Sequence, residues 1–397
     1  MEDSALSKVC SIFSQMLQLI SRAGFDGAVR RHQAERHARG FTSWGQFVAM
    51  LFCQLGGAKS LREICGGLAA SEGKLRHLGL PEAPPRSTLA YANEHRPWQL
   101  YEDVFQQVLS QCQGLTATRS GGQRKFRFKH KLISMDATVI DLCASVFDWA
   151  RFRRTKGAVK LHLMLDHDGF LPCYAVITEG KQHEVRVAQQ WQYEPGTLLV
   201  MDRGYNDYAW FADLTRQGVY FVTRMKDNAD YIVVEERELP CRKGLLRDQV
   251  ICFYKQARDE QECYFRRVEF YDEEQDRVLV FVTNHLTLAA ATVAGVYKQR
   301  WQIELFFKAL KQSFRVKTFV GTSANALKTQ IWAALIAMLL IKYLQLKATF
   351  GWSLSNLVAL LRQQLFVYRD LWVWIDHPFQ APPTIESAPE QLALGLR

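Results

Sequence analysis

Nothing in this sequence pairs its cysteines. The nine are scattered singly from Cys10 to Cys263, with no CxxC pair and no accompanying histidine spacing. That pattern argues against a zinc site and against a disulfide framework, so reduced thiols in a cytoplasmic protein are the simpler reading. The N-terminus lacks a basic start, an unbroken apolar region and a small-residue cleavage site, so no export signal is expected. There is also no run of about twenty apolar residues, the length a bilayer needs. The longest apolar run, Ile331 to Ile341, stops at Lys342 and reads as a buried core helix. No internal repeat is visible. Acids are missing from Arg119 to Lys131, where Arg119, Arg124, Lys125, Arg127, Lys129 and Lys131 fall together, and Arg151, Arg153, Arg154, Lys156 and Lys160 follow.

What is present is ample apolar material, 48% of 397 residues, with 12% aromatic, enough for two or three packed units. The net charge of +10 and pI near 9.1 suit a polyanionic partner, because a positive field concentrates phosphates near the surface. Acids gather between Asp227 and Asp276, so the basic surface lies mainly elsewhere.

Residues 1–115 read as helical, with apolar spacings of three and four in Val9 to Leu17 and Phe47 to Leu55. Ser60-Leu61-Arg62-Glu63 has a capping-box form, and Ser87 is a candidate cap for the helix that follows Pro84-Pro85. Two helices joined by a turn, the second carrying Arg86, Ser87, Asn93 and Arg96, match what a helix-turn-helix reader of DNA requires. From Phe126 the pattern turns to strands: one through Asp136, a hairpin turning at Asp168-Gly169, and Thr197 to Met201 ending in Asp202. A helix from Tyr208 to Gln217, stopped by Gly218, and a strand from Val219 to Arg224 complete a mixed sheet with flanking helices. Residues 227–287 read as a β-rich insertion, helical periodicity returns at about Leu288 and lasts to roughly Leu346, and the end, from Pro378, reads as a loose tail.

A helix is expected from Tyr297 to Lys311. At about 100° per residue, Tyr297, Arg300, Glu304, Lys308 and Lys311 share one stripe, while Ile303, Phe306, Phe307 and Leu310 form an apolar one. On its own that stripe fits a solvated face held by i,i+4 pairs. With Asp136 and Asp202 on neighbouring strands, it also supplies three carboxylates and several cations, which metal-assisted phosphoryl transfer needs side by side.

The helix reads Tyr297-x2-Arg300-x3-Glu304-x6-Lys311, which resembles the YREK signature of the insertion-sequence-four family of DDE transposases. Asp202-Arg203-Gly204-Tyr205 and Met135-Asp136-Ala137-Thr138 are similar to the boxes around that family's two aspartates. Phe41 to Phe47, Ser60 to Glu63 and Arg86 to Glu94 resemble its helical N-terminal domain. The resemblance implies an α/β chain: an RNase H-like mixed sheet flanked by helices, interrupted by a β-rich insertion, with an all-helical N-terminal domain. The units it implies are a DNA-binding domain at 1–115, a catalytic core at 116–226 and 288–350, the insertion at 227–287 and a helical segment and tail at 351–397.

It further implies that Asp136, Asp202 and Glu304 are catalytic and hold two magnesium ions, with manganese as a substitute, and that Tyr297, Arg300 and Lys311 grip phosphates. Lys308, on the same stripe, joins the DNA-binding set with Arg86, Ser87, Asn93 and Arg96. The expected partners are double-stranded DNA, as transposon ends and target, and a second copy in a synaptic homodimer, with no membrane. The expected reaction is in-line attack on a phosphodiester at the element's end, then attack by the freed 3′-hydroxyl on target DNA. Members that pass through a hairpin use an insertion Trp, and none lies between Asp227 and Thr287. A nuclease of the same fold that never joins strands, and a non-catalytic DNA-binding protein, are the competing readings. His162 and His183 are weaker candidates for a base.

Overall fold

Six α-helices come first among the described residues: α1 (Ile12–Leu17), α2 (Arg22–Arg31), α3 (Ser43–Leu55), α4 (Leu61–Ala69), α5 (Arg86–His95) and α6 (Gln99–Arg119). The computed structural model describes residues 10–36, 38, 40–71, 73–119, 126, 128–143, 147–153, 156–239, 243–254 and 263–380. Arg124, Lys125, Arg127 and Arg154 of the basic clusters, and the chain beyond Gln380, lie outside them. Hydroxyls start four of these helices: Ser11, Ser21, Thr42 and Ser60 each accept the N–H three residues on. At Ser60 the reciprocal bond falls one residue early, because Glu63 accepts the N–H of Lys59, the residue before the cap, at 2.8 Å. The expected cap at Ser87 is displaced: α5 begins at Arg86 after Pro85, whose fixed φ of −59° prepares the turn.

Next come β1 (Leu132–Leu142), β2 (Arg151–Arg153), β3 (Lys156–Asp166), β4 (Leu171–Glu179), a short α7 (Glu184–Ala188), β5 (Leu198–Met201), α8 (Tyr208–Arg216) and β6 (Tyr220–Arg224). β3 pairs antiparallel with β1 and with β4, and β5 lies parallel to β1 and to β6. The resulting order β4-β3-β1-β5-β6 is that of an RNase H-like sheet, with β2 added at the start of β3.

The four strands of the 227–287 segment, β7 (Tyr231–Glu236), β8 (Leu245–Phe253), β9 (Phe265–Asp272) and β10 (Arg277–Thr283), prolong this sheet. β10 pairs antiparallel with β6, covering an edge that would otherwise expose unpaired backbone groups.

The chain returns to helices: α9 (Ala290–Gln299), α10 (Trp301–Ser313), α11 (Ala324–Lys347), α12 (Leu354–Gln364) and α13 (Leu371–Asp376). α9 packs on β5 and β6, and α10 on β1. The single helix expected from Tyr297 to Lys311 is interrupted at Arg300. The Arg300 N–H bonds to the Tyr297 carbonyl and the Ile303 N–H to that of Arg300, both i→i−3, so one turn is tightened. Arg300 keeps right-handed helical angles, φ −52° and ψ −33°, so the polar stripe survives the break.

α11 is long and apolar enough to cross a membrane, yet 83% of its most apolar window is buried inside the fold. It runs through the N-terminal helices, packing on α3, α5 and α6. One continuous core therefore joins Phe47, Leu51 and Phe105 to Ile140, Leu161, Ile303 and Trp332. The helices of residues 1–115, expected as a separate domain, share this core, because α3 and α6 bury their apolar faces on α11.

Candidate active site

β1 and β5 run parallel with Met135 opposite Met201. The next residue in each case is an aspartate, Asp136 within β1 and Asp202 just past the end of β5, so the two reach the same level of the sheet. The buried Met135 and Met201 fix that level from below. The Asp202 carboxylate accepts the Gly204 N–H at 2.8 Å, and a Cβ on Gly204 would lie 2.9 Å from its Oδ1. This close approach is a physical reason for glycine in the Asp-Arg-Gly-Tyr box. The Thr223 hydroxyl donates to the Asp202 carbonyl at 2.9 Å, tying the end of β5 to β6.

Glu304 comes from α10, which lies over β1. The Lys311 ammonium donates to the Thr138 hydroxyl at 2.6 Å and to the Val139 carbonyl at 2.9 Å, pinning this helix to the strand. Arg300 bridges the two elements: it lies 3.6 Å from the Asp136 carboxylate and 2.5 Å from that of Glu304. Its Nε is buried without a partner, and its guanidinium sits 5.7 Å from the Tyr297 ring centroid.

Burial pushes the Asp136 carboxyl up to about 7; the Ala137 N–H and Arg300 pull the other way, and the charges of Asp202 and Glu304 add to the rise. All three acids therefore share one field, and their like charges call for a cation. Burial also raises Tyr297, against the opposing charges of Arg300 and Arg224, so its hydroxyl stays protonated at neutral pH. Burial, with Lys317 nearby, lowers Lys311.

The donor set is all oxygen, which suits a hard divalent ion such as magnesium. Among the described residues no three such side chains already converge closely enough to hold one. Arg300 lies between the Asp136 and Glu304 carboxylates and pairs with both.

Of the other expected residues, Arg86 and Ser87 are exposed at the start of α5, and Lys308 is exposed on α10. Asn93 is corrected. Asn93 is 1% exposed, accepts from Gln46 at 2.9 Å, and cannot reach DNA. Arg96 donates to the carbonyls of Thr42, at 2.8 Å, and of Phe41, holding the start of α3. His162 faces the core with its Nε2 2.9 Å from the Thr178 hydroxyl, and burial lowers it to about 4. It pairs across from Ala137, so it points to the sheet face opposite Asp136. Sequence reasoning passed over Trp301, beside Arg300 and 54% exposed. Its place between the two charged residues of the motif was the available signal.

The chain matches a family described as Transposase DDE domain over residues 127–340. Residues 9–81 match a domain of unknown function, DUF4372. It is similar to a protein of Sinorhizobium fredii named as transposase y4zB, 27% identical across 78% of this chain and 85% of that one. It is also similar to a protein of Geobacillus stearothermophilus named as the transposase for insertion sequence element IS5377, 29% identical across 68% and 70%. A third, named for element IS4SA of Synechocystis, is 23% identical across 57% and 64%.

Proposed function

This chain belongs to the DDE transposase family, and from that premise we propose that it binds the ends of its own insertion sequence, cuts them and joins them to target DNA. Its activity on DNA and its dependence on a divalent metal follow from the family. The finer reading rests above all on one observation: two aspartates level at neighbouring parallel strands, one of them, Asp136, joined through Arg300 to Glu304.

In this reading Asp136, Asp202 and Glu304 hold two magnesium ions, with manganese able to replace them. When bound, the metal supplies positive charge to the attacking and the leaving oxygens of each in-line displacement. The rest is the work of the chain. Arg300, displaced from Glu304, turns its fork to a phosphate, where two parallel hydrogen bonds fix orientation as well as charge. Tyr297, kept protonated, donates to a phosphate oxygen. Lys308 adds charge from the open face of α10. Lys311 spends two of its three N–H groups on β1 and positions Glu304, with one left for DNA. Trp301 offers an exposed ring on which a base at the DNA end can stack.

Because transposition joins two ends, the working form is a homodimer. Strand joining separates this reading from a simple nuclease. Purified protein with magnesium, labelled terminal-repeat DNA and a supercoiled target should yield covalently joined product. Cutting without any joined product would reduce it to a nuclease.

A further inference from the structure

Away from the carboxylates, two guanidinium groups converge with no acid between them. Arg315, just past α10, donates through Nε to the Gly57 carbonyl at 2.8 Å and through Nη2 to the same oxygen. Arg362 of α12 donates to the Leu55 carbonyl at 3.1 Å and the Ser313 carbonyl at 3.0 Å. A Cβ on Gly57 would lie 3.1 Å from the Arg362 Cζ and 3.2 Å from an Arg315 nitrogen, so both groups crowd one face of that glycine. Neither forms an ion pair among the described residues, and both are partly exposed. Burial, together with the charge of Arg315, lowers Arg362.

Part of this arrangement is scaffolding. Leu55 and Ser313 are the last residues of α3 and α10, and a helix C-terminus carries about half a negative charge. Two such ends offset about one of the two positive charges and leave about one. That remainder matches the single charge of a phosphodiester. Ser313 lies about 14 Å from Glu304 along the axis of α10 and, at about 100° per residue, on the other side of that helix. Lys308 lies on the way and Lys317 just beyond, both exposed.

We propose that Arg315 and Arg362 form a backbone-phosphate site for the end duplex. This rests on the end-binding reading above and adds a contact outside the motif residues. Such a contact carries no sequence information.

The test is metal-free binding of terminal-repeat DNA across a salt series, for wild type, Arg315→Gln, Arg362→Gln and the two Lys variants. Each Gln variant should bind about tenfold more weakly at low salt, with a log–log salt slope shallower by about 0.9, and Lys should restore the slope. A Gln variant that melts like wild type and keeps the wild-type slope would overturn the proposal. If the Gln variants fail to fold, arginine modification of the wild type by phenylglyoxal decides: bound DNA should shield Arg315 and Arg362, and equal labelling with and without DNA overturns it. Failure of the wild type to bind terminal-repeat DNA would instead defeat the functional reading underneath.

Discussion

Asp136 holds a proton up to about pH 7 because burial outweighs the Ala137 N–H that favours its charge, and Asp202 adds to the rise. A cation entering the site must expel that proton. Divalent-metal affinity should therefore fall by up to tenfold per pH unit below about 7, as read by calorimetric titration with manganese at pH 6 and pH 8. Asp136→Asn should remove both the tight binding and its pH dependence; equal affinity at the two pH values would count against the site. The same group sets a stability trend without metal. Its folded pKa lies above the unfolded value, so its contribution is full below about pH 4 and is lost as pH rises through about 7.

Asn93 and Arg86 make a contrasting pair. Asn93→Ala should cost about 1–3 kcal/mol of stability, because it strands the buried Gln46 amide. Arg86→Ala should leave melting unchanged and weaken DNA binding. Melting curves and binding isotherms on both variants test the assignment. From sequence, Asn93 looked like an outward polar residue because its partner lies 47 positions away, beyond any helical period.

At the scale of elements, the aspartate-bearing strands were legible because each is an apolar run ending or interrupted by an acid, and strand periodicity is local. The close approach of Gly204 to Asp202 sharpens the point. Gly204→Ala would place a methyl 2.9 Å from the carboxylate, so metal binding should weaken while the melting temperature changes little, as paired titration and melting experiments would show. Unchanged metal affinity would mean that the carboxylate can shift freely. The break at Arg300 was not legible: two i→i−3 hydrogen bonds reflect how α9 and α10 meet different parts of the sheet. The pairing of β10 with β6 was equally hidden, since strand order is decided by contacts far apart in sequence.

For the molecule as a whole, the sequence suggested a helical DNA-binding domain at 1–115, and its buried residues share a core with α11. α11 was recognisable as a buried helix, but which elements surround it depends on shape complementarity that a periodic pattern does not encode. Unfolding should accordingly be a single cooperative transition by calorimetry, with Trp332→Ala costing about 3–5 kcal/mol and lowering that one transition. Two separate transitions would restore the independent domain.

The most direct measurement of the central claim uses Asp136→Ala, Asp202→Ala and Glu304→Ala in parallel, assayed with magnesium for end cleavage and strand joining and without metal for end binding. All three should lose cleavage and joining while binding terminal-repeat DNA within a few-fold of wild type. Retained cleavage by any one of them would contradict the assignment of these three carboxylates as the metal-holding catalytic set.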